Sequence, residues 1–215
     1  MAQAVTRTGW PVLAEVGGRD QRAAGLARQA LLVTLGIAAL ALSAKVQVPV
    51  WPSPVPVTMG TFAVLAVGSA YGPRLGLATI LGYMLIGALG FDVFASSSAD
   101  KNGLAYMMGA SGGYLLGYVL ATALLGALAR RGWDRSVGGM ALALLLGNAV
   151  IYLPGLAWLH HVVANGAFDA SKYGTVWQQT LAWGLTPYLI GDAIKLALAA
   201  LLAPALWKLV GSARG

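Results

Sequence analysis

Long apolar stretches alternate along the chain with short polar, glycine-rich or proline-rich ones. The first apolar stretch covers about 26–46, and the second, about 58–71, is set off from a third, about 75–90, by Gly72-Pro73-Arg74. A fourth covers about 112–129 and a fifth about 137–159, with the charged turn of Arg130, Arg131, Asp134 and Arg135 between them. The sixth is the stretch LTPYLIGDAIKLALAALLAPALWKLV, residues 185–210. Thr186 and Pro187 read as N-cap and first helical residue of that last stretch. From there a helix of about 24 residues is roughly 36 Å long at 1.5 Å per residue, enough to cross a bilayer. The pattern predicts an all-α fold, an integral membrane bundle of six transmembrane helices over 26–210.

The segments between the spans carry their own signals. Residues 1–25 are mixed and polar, with no apolar run followed by small residues before Leu26, and read as a loose cytoplasmic tail or at best a surface helix. VQVPVWPSPVPVT has prolines at 49, 52, 54 and 56 and cannot be helical. It is expected as a stiff extended loop, with Trp51 at an interface and Thr58 capping the next span. FDVFASSSADKNG, 91–103, is a polar loop, and Trp177 to Trp183 suggests a short interfacial helix before the last span.

Composition agrees with the pattern. Of 215 residues, 58% are apolar and 10% charged, against about 25% charged in a soluble domain. With six spans both termini share one side. Arg7, Arg19, Arg22, Arg28, Arg74, Arg130, Arg131, Arg135, Lys208 and Arg214 fall there, against Lys45, Lys101 and Lys172 opposite. The positive-inside rule places the termini in the cytoplasm. The net charge of +7 therefore speaks to topology, and no basic run with interleaved aromatics suggests nucleic acid.

The chain has no cysteine, and its two histidines, His160 and His161, are adjacent and make a poor chelate. No glycine-rich loop ends in Gly-Lys-Ser/Thr, and no His/carboxylate set has metal spacing. No catalytic residue, metal or cofactor is expected.

The candidate site is polar chemistry inside apolar helices. Asp192 and Lys195 are three apart, hence on one helical face. An intramembrane charge is costly and marks a functional site by default. The other reading is a structural ion pair. Asn148 and Tyr152 are four apart on the fifth span, with an interhelical hydrogen bond and a ligand contact equally open. Tyr114, Trp158 and Tyr188 lie near the outer end. Aromatics with an acceptor, a donor and an amide suit a small, partly apolar solute with polar ends. On the first span, Thr34 and Ala38, and Ala39 and Ser43, form small-residue stripes for packing within the bundle or for docking a separate membrane subunit.

PVPVTMGTFAVLAVGSAYGPRLG, YMLIGALGFDVFASSS, GASGGYLLGY, GNAVIYLPGLAWL and TPYLIGDAIK occur in one order over about 30–205. In this the chain resembles the BioY family, the biotin-binding membrane subunits of energy-coupling-factor vitamin transporters. The family's GDxxK pattern falls on Gly191, Asp192 and Lys195. The resemblance implies biotin uptake across the bacterial cytoplasmic (inner) membrane, with capture at the outer face. It also implies a transmembrane coupling subunit with two ATPases, docked on the stripe from Thr34 to Ser43. A self-sufficient or homo-oligomeric carrier, or a carrier of another vitamin, is the alternative. From biotin's chemistry, Asp192 would accept the ureido N–H groups. Lys195 would neutralise Asp192 or donate to a polar end of the ligand. Asn102, Ser111 and Tyr114 are loop candidates, and Tyr152 and Trp158 would wall the bicyclic ring.

Overall fold

The structure, a computed structural model, describes residues 9–16, 22–49, 51, 53, 56–98 and 101–212. Arg7, Arg19, Pro52, Pro54 and Arg214, used in the sequence argument, lie outside the described residues. Helices dominate: α1 (Arg22–Lys45), α2 (Gly60–Ala88), α3 (Gly103–Met107), α4 (Gly112–Arg130), α5 (Val137–Val162), α6 (Val176–Gly184) and α7 (Leu189–Ser212). Two short strands, β1 (Gln47–Val48) and β2 (Val57–Thr58), pair antiparallel and close the proline-rich loop as a hairpin.

Among the described residues, five helical segments are long and apolar enough to cross a membrane: Gly25–Lys45, Gly60–Ala88, Gly112–Arg130, Val137–Ala167 and Val176–Val210. The second is two spans. Inside it Gly72 has φ 74° and ψ 178°, which no helix contains. The positive φ suits glycine, and Pro73 then starts the second arm at the position proline prefers. The arms, 60–71 and 73–88, double back on each other. A Cβ added to Gly76 would lie 3.7 Å from the Cα of Gly68. The expected six spans are thus present.

Small residues set how closely the spans approach. A Cβ on Gly113 would fall 2.2 Å from the carbonyl oxygen of Pro154, and one on Gly117 2.7 Å from the Cα of Ile151. The backbones of α4 and α5 therefore touch, which is how helices associate where lipid gives no hydrophobic drive. One packed core, with Leu125, Leu128, Met140, Leu144 and Ala203, fills the half nearer the termini. A second, with Leu40, Val64, Ile80, Tyr83, Phe94 and Tyr106, supports the opposite half.

Several local expectations need correction. The last helix starts at Leu189, two residues after Pro187. The Thr186 hydroxyl bonds back to the carbonyl of Leu181 at 3.2 Å, so it closes the end of α6 and does not cap α7. Asp192 consequently sits in the first turn of α7, closer to its end than the sequence implied. Thr58 lies in β2, and its hydroxyl accepts the Gly60 N–H at 3.1 Å at the start of α2. The expected short helix before the last span is α6, its start fixed by a capping box between Thr175 and Gln178.

The largest departure is at the N-terminus. Residues 9–16 are not a loose tail. Val12 is fully buried, and the Trp10 N–H donates to the carbonyl of Arg130 at 2.7 Å. Arg130 makes two hydrogen bonds to Glu15, at 2.8 and 2.5 Å. These residues cover the end of the bundle formed by the Gly72 turn, the α4–α5 turn and the C-terminal part of α7.

Candidate binding site

The sequence of α7 puts Asp192 and Lys195 on one face three residues apart, and the fold turns that face inward. Both side chains are about one-tenth exposed, and the Lys195 Nζ lies 3.3 Å from the Asp192 Oδ1. The same ammonium donates to the carbonyl of Thr58 at 2.7 Å, which ties α7 to the end of β2. The Tyr152 hydroxyl, one helix away on α5, donates to the other carboxylate oxygen, Oδ2. Each charge therefore has a charged partner and a neutral one. This satisfies the requirement for keeping a charge pair out of water.

Beside this pair lies a cavity of about 790 Å³, counting the open space at its mouth. Asp192, Lys195, Tyr152 and Tyr188 line one side. Tyr114, Tyr118, Leu115 and Ser111 contribute from α4 and the turn before it, and Thr58, Gly60, Thr61 and Val64 from the start of α2. Phe94, Tyr83 and Tyr106 complete an aromatic wall, with the aliphatic Leu40 beside them.

The wall is held from behind by tyrosine hydroxyls bonded to backbone. Tyr114 donates to the carbonyl of Gly184 at 2.8 Å, Tyr83 to that of Val93 at 3.1 Å and Tyr106 to that of Ala95 at 2.5 Å. Phe94 is 1% exposed and stacks on Tyr106 with ring centroids 5.0 Å apart. Loop 91–98 is thus anchored into the bundle by its own aromatic. At its surface, Lys45 bonds Asp92 at 2.6 Å. The bond from Lys45, followed by that from Ser97, holds the Asp92 carboxyl below its usual range.

The cavity gathers six of the residues singled out from sequence: Asp192, Lys195, Tyr152, Tyr114, Tyr188 and Ser111. It does not gather the other three. Trp158 stands behind the wall, where its indole N–H donates to the carbonyl of Gly109 at 2.8 Å and fixes the turn carrying Ser111. Asn148 lies one turn before Tyr152 on α5, with its Oδ1 buried and without a hydrogen-bond partner. Asn102 is half-buried just before α3. Sequence reasoning missed Tyr118, Tyr83, Tyr106 and the hydroxyls of Thr58 and Thr61. Only Tyr118 left a usable trace, since it lies four residues after Tyr114 and therefore on the same face of α4. Among the described residues no group of three or more His, Asp or Glu is placed to hold a metal ion.

The model of the BioY family matches residues 8–212 of the chain. The chain belongs to the BioY family. Its BioY relatives include the probable biotin transporter BioY of Pyrococcus horikoshii, 35% identical over 178 residues, which are 82% of this chain and 94% of that protein. The biotin transporter BioY of Thermotoga maritima is 30% identical over 182 residues, 85% of this chain and 97% of that one. A crystal structure of the S-component for biotin from an ECF-type ABC transporter shares this chain's fold. It superposes with a TM-score of 0.67 at 18% identity, covering 88% of this chain and 95% of that one. Family and spans together make this a multi-pass membrane protein.

Proposed function

We propose that this chain captures biotin at the outer face of the bacterial cytoplasmic membrane, as the substrate-specific subunit of an energy-coupling-factor transporter. The observation that carries this reading is the cavity in which Asp192 and Lys195, already satisfied by Tyr152 and the Thr58 carbonyl, face an aromatic-lined space. A ureido ring offers two N–H donors and one carbonyl. Asp192 accepts from the donors, and Lys195 compensates the carboxylate whose hydration the ligand displaces. Tyr114, Tyr118 and Tyr152 flank the bicyclic ring, and Ser111 contributes a hydroxyl from the loop. The function is carriage of the vitamin, with no bond made or broken in it.

The distribution of Lys and Arg supports cytoplasmic termini, so the cavity end faces outward. The reading includes a transmembrane coupling subunit with two ATPases. On α1, Thr34, Ala38 and Ala39 are exposed and Ser43 is half-buried. A small-residue stripe turned away from its own bundle favours docking a separate membrane subunit over internal packing.

The test is uptake of labelled biotin by vesicles containing this chain, with and without the coupling subunit and ATPases, next to direct binding of a vitamin panel. The proposal expects biotin to bind selectively to the chain alone and uptake to require the module and ATP. Uptake by the chain alone would point to a self-sufficient or homo-oligomeric carrier. Selective binding of another vitamin would overturn the substrate.

A further inference from the structure

The cavity beside Asp192 has a smaller neighbour. This second space, about 360 Å³ counting the open space at its mouth, is lined by loop residues that include Ser96, Lys101 and the turn 109–111. Pro56, Ala95, Tyr106 and Ser111 line both spaces, so a ligand seated against Asp192 can extend from one into the other.

The two spaces differ in charge. In the larger one the Lys195 ammonium lies 3.3 Å from the Asp192 carboxylate, and the pair is neutral as a unit. An anion brought there would meet the like charge of Asp192 where little water screens it. In the smaller one, the described lining residues include one cation, Lys101, and no acid. Lys101 is exposed, and its backbone is placed by two hydrogen bonds of 3.1 Å exchanged with Ser98. The other two lysines expected on this side are paired with acids, Lys45 with Asp92 at 2.6 Å and Lys172 with Asp169 at 3.1 Å. The walls around Lys101 are fixed by the fold. The Trp158 indole N–H holds the Gly109 carbonyl at 2.8 Å, and the Ser96 hydroxyl donates to Gln47 of β1 at 2.8 Å.

We infer that the smaller space is an anion subsite, in which Lys101 pairs with a carboxylate at the far end of a ligand whose uncharged polar head meets Asp192. The subsite rests on the capture reading and sharpens it. Biotin carries its ureido ring at one end and, on a flexible apolar chain, a carboxyl that is ionised at neutral pH. The head goes to the charge pair, the chain lies along Tyr106 and Pro56, and the acid reaches Lys101 and the Ser111 hydroxyl. Charge at the mouth then selects the free acid over neutral derivatives in which that carboxyl is masked.

The test uses biotin and its primary amide, which differ only at that end. Both are titrated calorimetrically into the purified full chain and into Lys101→Gln and Lys101→Glu. At low salt the unaltered chain is expected to bind the acid about three- to fivefold more tightly than the amide, a preference that shrinks as salt is added because the cation is exposed. Lys101→Gln is expected to equalise the two ligands by weakening the acid alone, and Lys101→Glu to reverse the preference. Amide affinity is expected to be the same in all three proteins, since it reads the Asp192 end and the fold.

Equal affinity for acid and amide in the unaltered chain, or an acid preference that survives Lys101→Gln, overturns the subsite and leaves the capture of biotin standing. Amide binding that weakens along with acid binding in both variants also overturns it, because Lys101 then supports the fold and not the carboxylate. Binding of neither ligand by the unaltered chain overturns the capture reading and the subsite with it.

Discussion

Each end of the bundle places an acidic and a basic side chain close together in sequence, and the two pairs are treated differently. At the outer end, Asp192 and Lys195 face a cavity of about 790 Å³. At the inner end, Asp134 is 2% exposed under the Trp207 indole, and Arg135 lies half-buried between the Trp207 and Trp10 rings. Burial of charge alone therefore does not identify a binding site. What separates a site from a structural clamp is unfilled, partly polar volume next to charges whose hydrogen bonds are already arranged. At the outer end, Tyr152 and the Thr58 carbonyl hold the charges ready while the space stays open. At the inner end, the Trp10 and Trp207 rings lie against the Arg135 guanidinium.

The comparison breaks most visibly at Asp192 and Lys195. Asp192→Asn or Lys195→Ala is expected to weaken biotin binding at least tenfold, since a buried charge-assisted bond contributes about 1.5–3 kcal/mol, with the fold retained. Calorimetry on the purified variants checks this, and undiminished affinity would remove that residue's role.

At the inner end, Asp134→Ala leaves the Trp207 indole N–H without its acceptor. It is expected to cost about 1–3 kcal/mol of stability, read by thermal unfolding, with biotin affinity unchanged. A matching loss of affinity would erase the distinction between the two ends.

Tyr152→Phe removes one neutral donor from Asp192 and sharpens the account. A loss of about 0.5–1.5 kcal/mol, roughly two- to tenfold in affinity, is expected from titration of the variant.

Asp92→Asn gives the smallest effect, about 0–1 kcal/mol, because the Lys45–Asp92 pair is 35% and 55% exposed. The folded state lowers the Asp92 pKa from 3.8. The pair's contribution is therefore present above that value and lost as pH falls below it through the folded pKa. Wild-type and variant unfolding curves should differ at neutral pH and converge in acid.

Much of this was legible in the sequence for reasons that also explain the gaps. The six spans were readable because a chain in lipid must satisfy its backbone within continuous apolar helices. Even the turn between the second and third spans was visible, since Gly72-Pro73 cannot sit inside one helix. Asp192 and Lys195 stood out because charge is rare at such depth. The tyrosines of the wall did not. Tyr83 and Tyr106 are apolar enough to read as ordinary span or loop residues until the fold faces them inward. The start of α7 was misplaced because Thr186-Pro187 has the composition of a helix start, while the Thr186 hydroxyl is already used by the carbonyl of Leu181. Asn102 and Trp158 were assigned from loops and helix ends, where no periodicity tells which way a side chain faces. The docking of residues 9–16 depends on scattered partners in four other elements, and such contacts leave no local pattern.

Calorimetric titration of biotin into the purified chain, alongside the double variant Asp192→Asn with Lys195→Ala, tests the central claim most directly. The account predicts saturable binding of one biotin per chain, and at least a hundredfold weaker binding in a double variant that unfolds at a similar temperature. Equal affinity in the two proteins, or no binding by the unaltered chain, would contradict it.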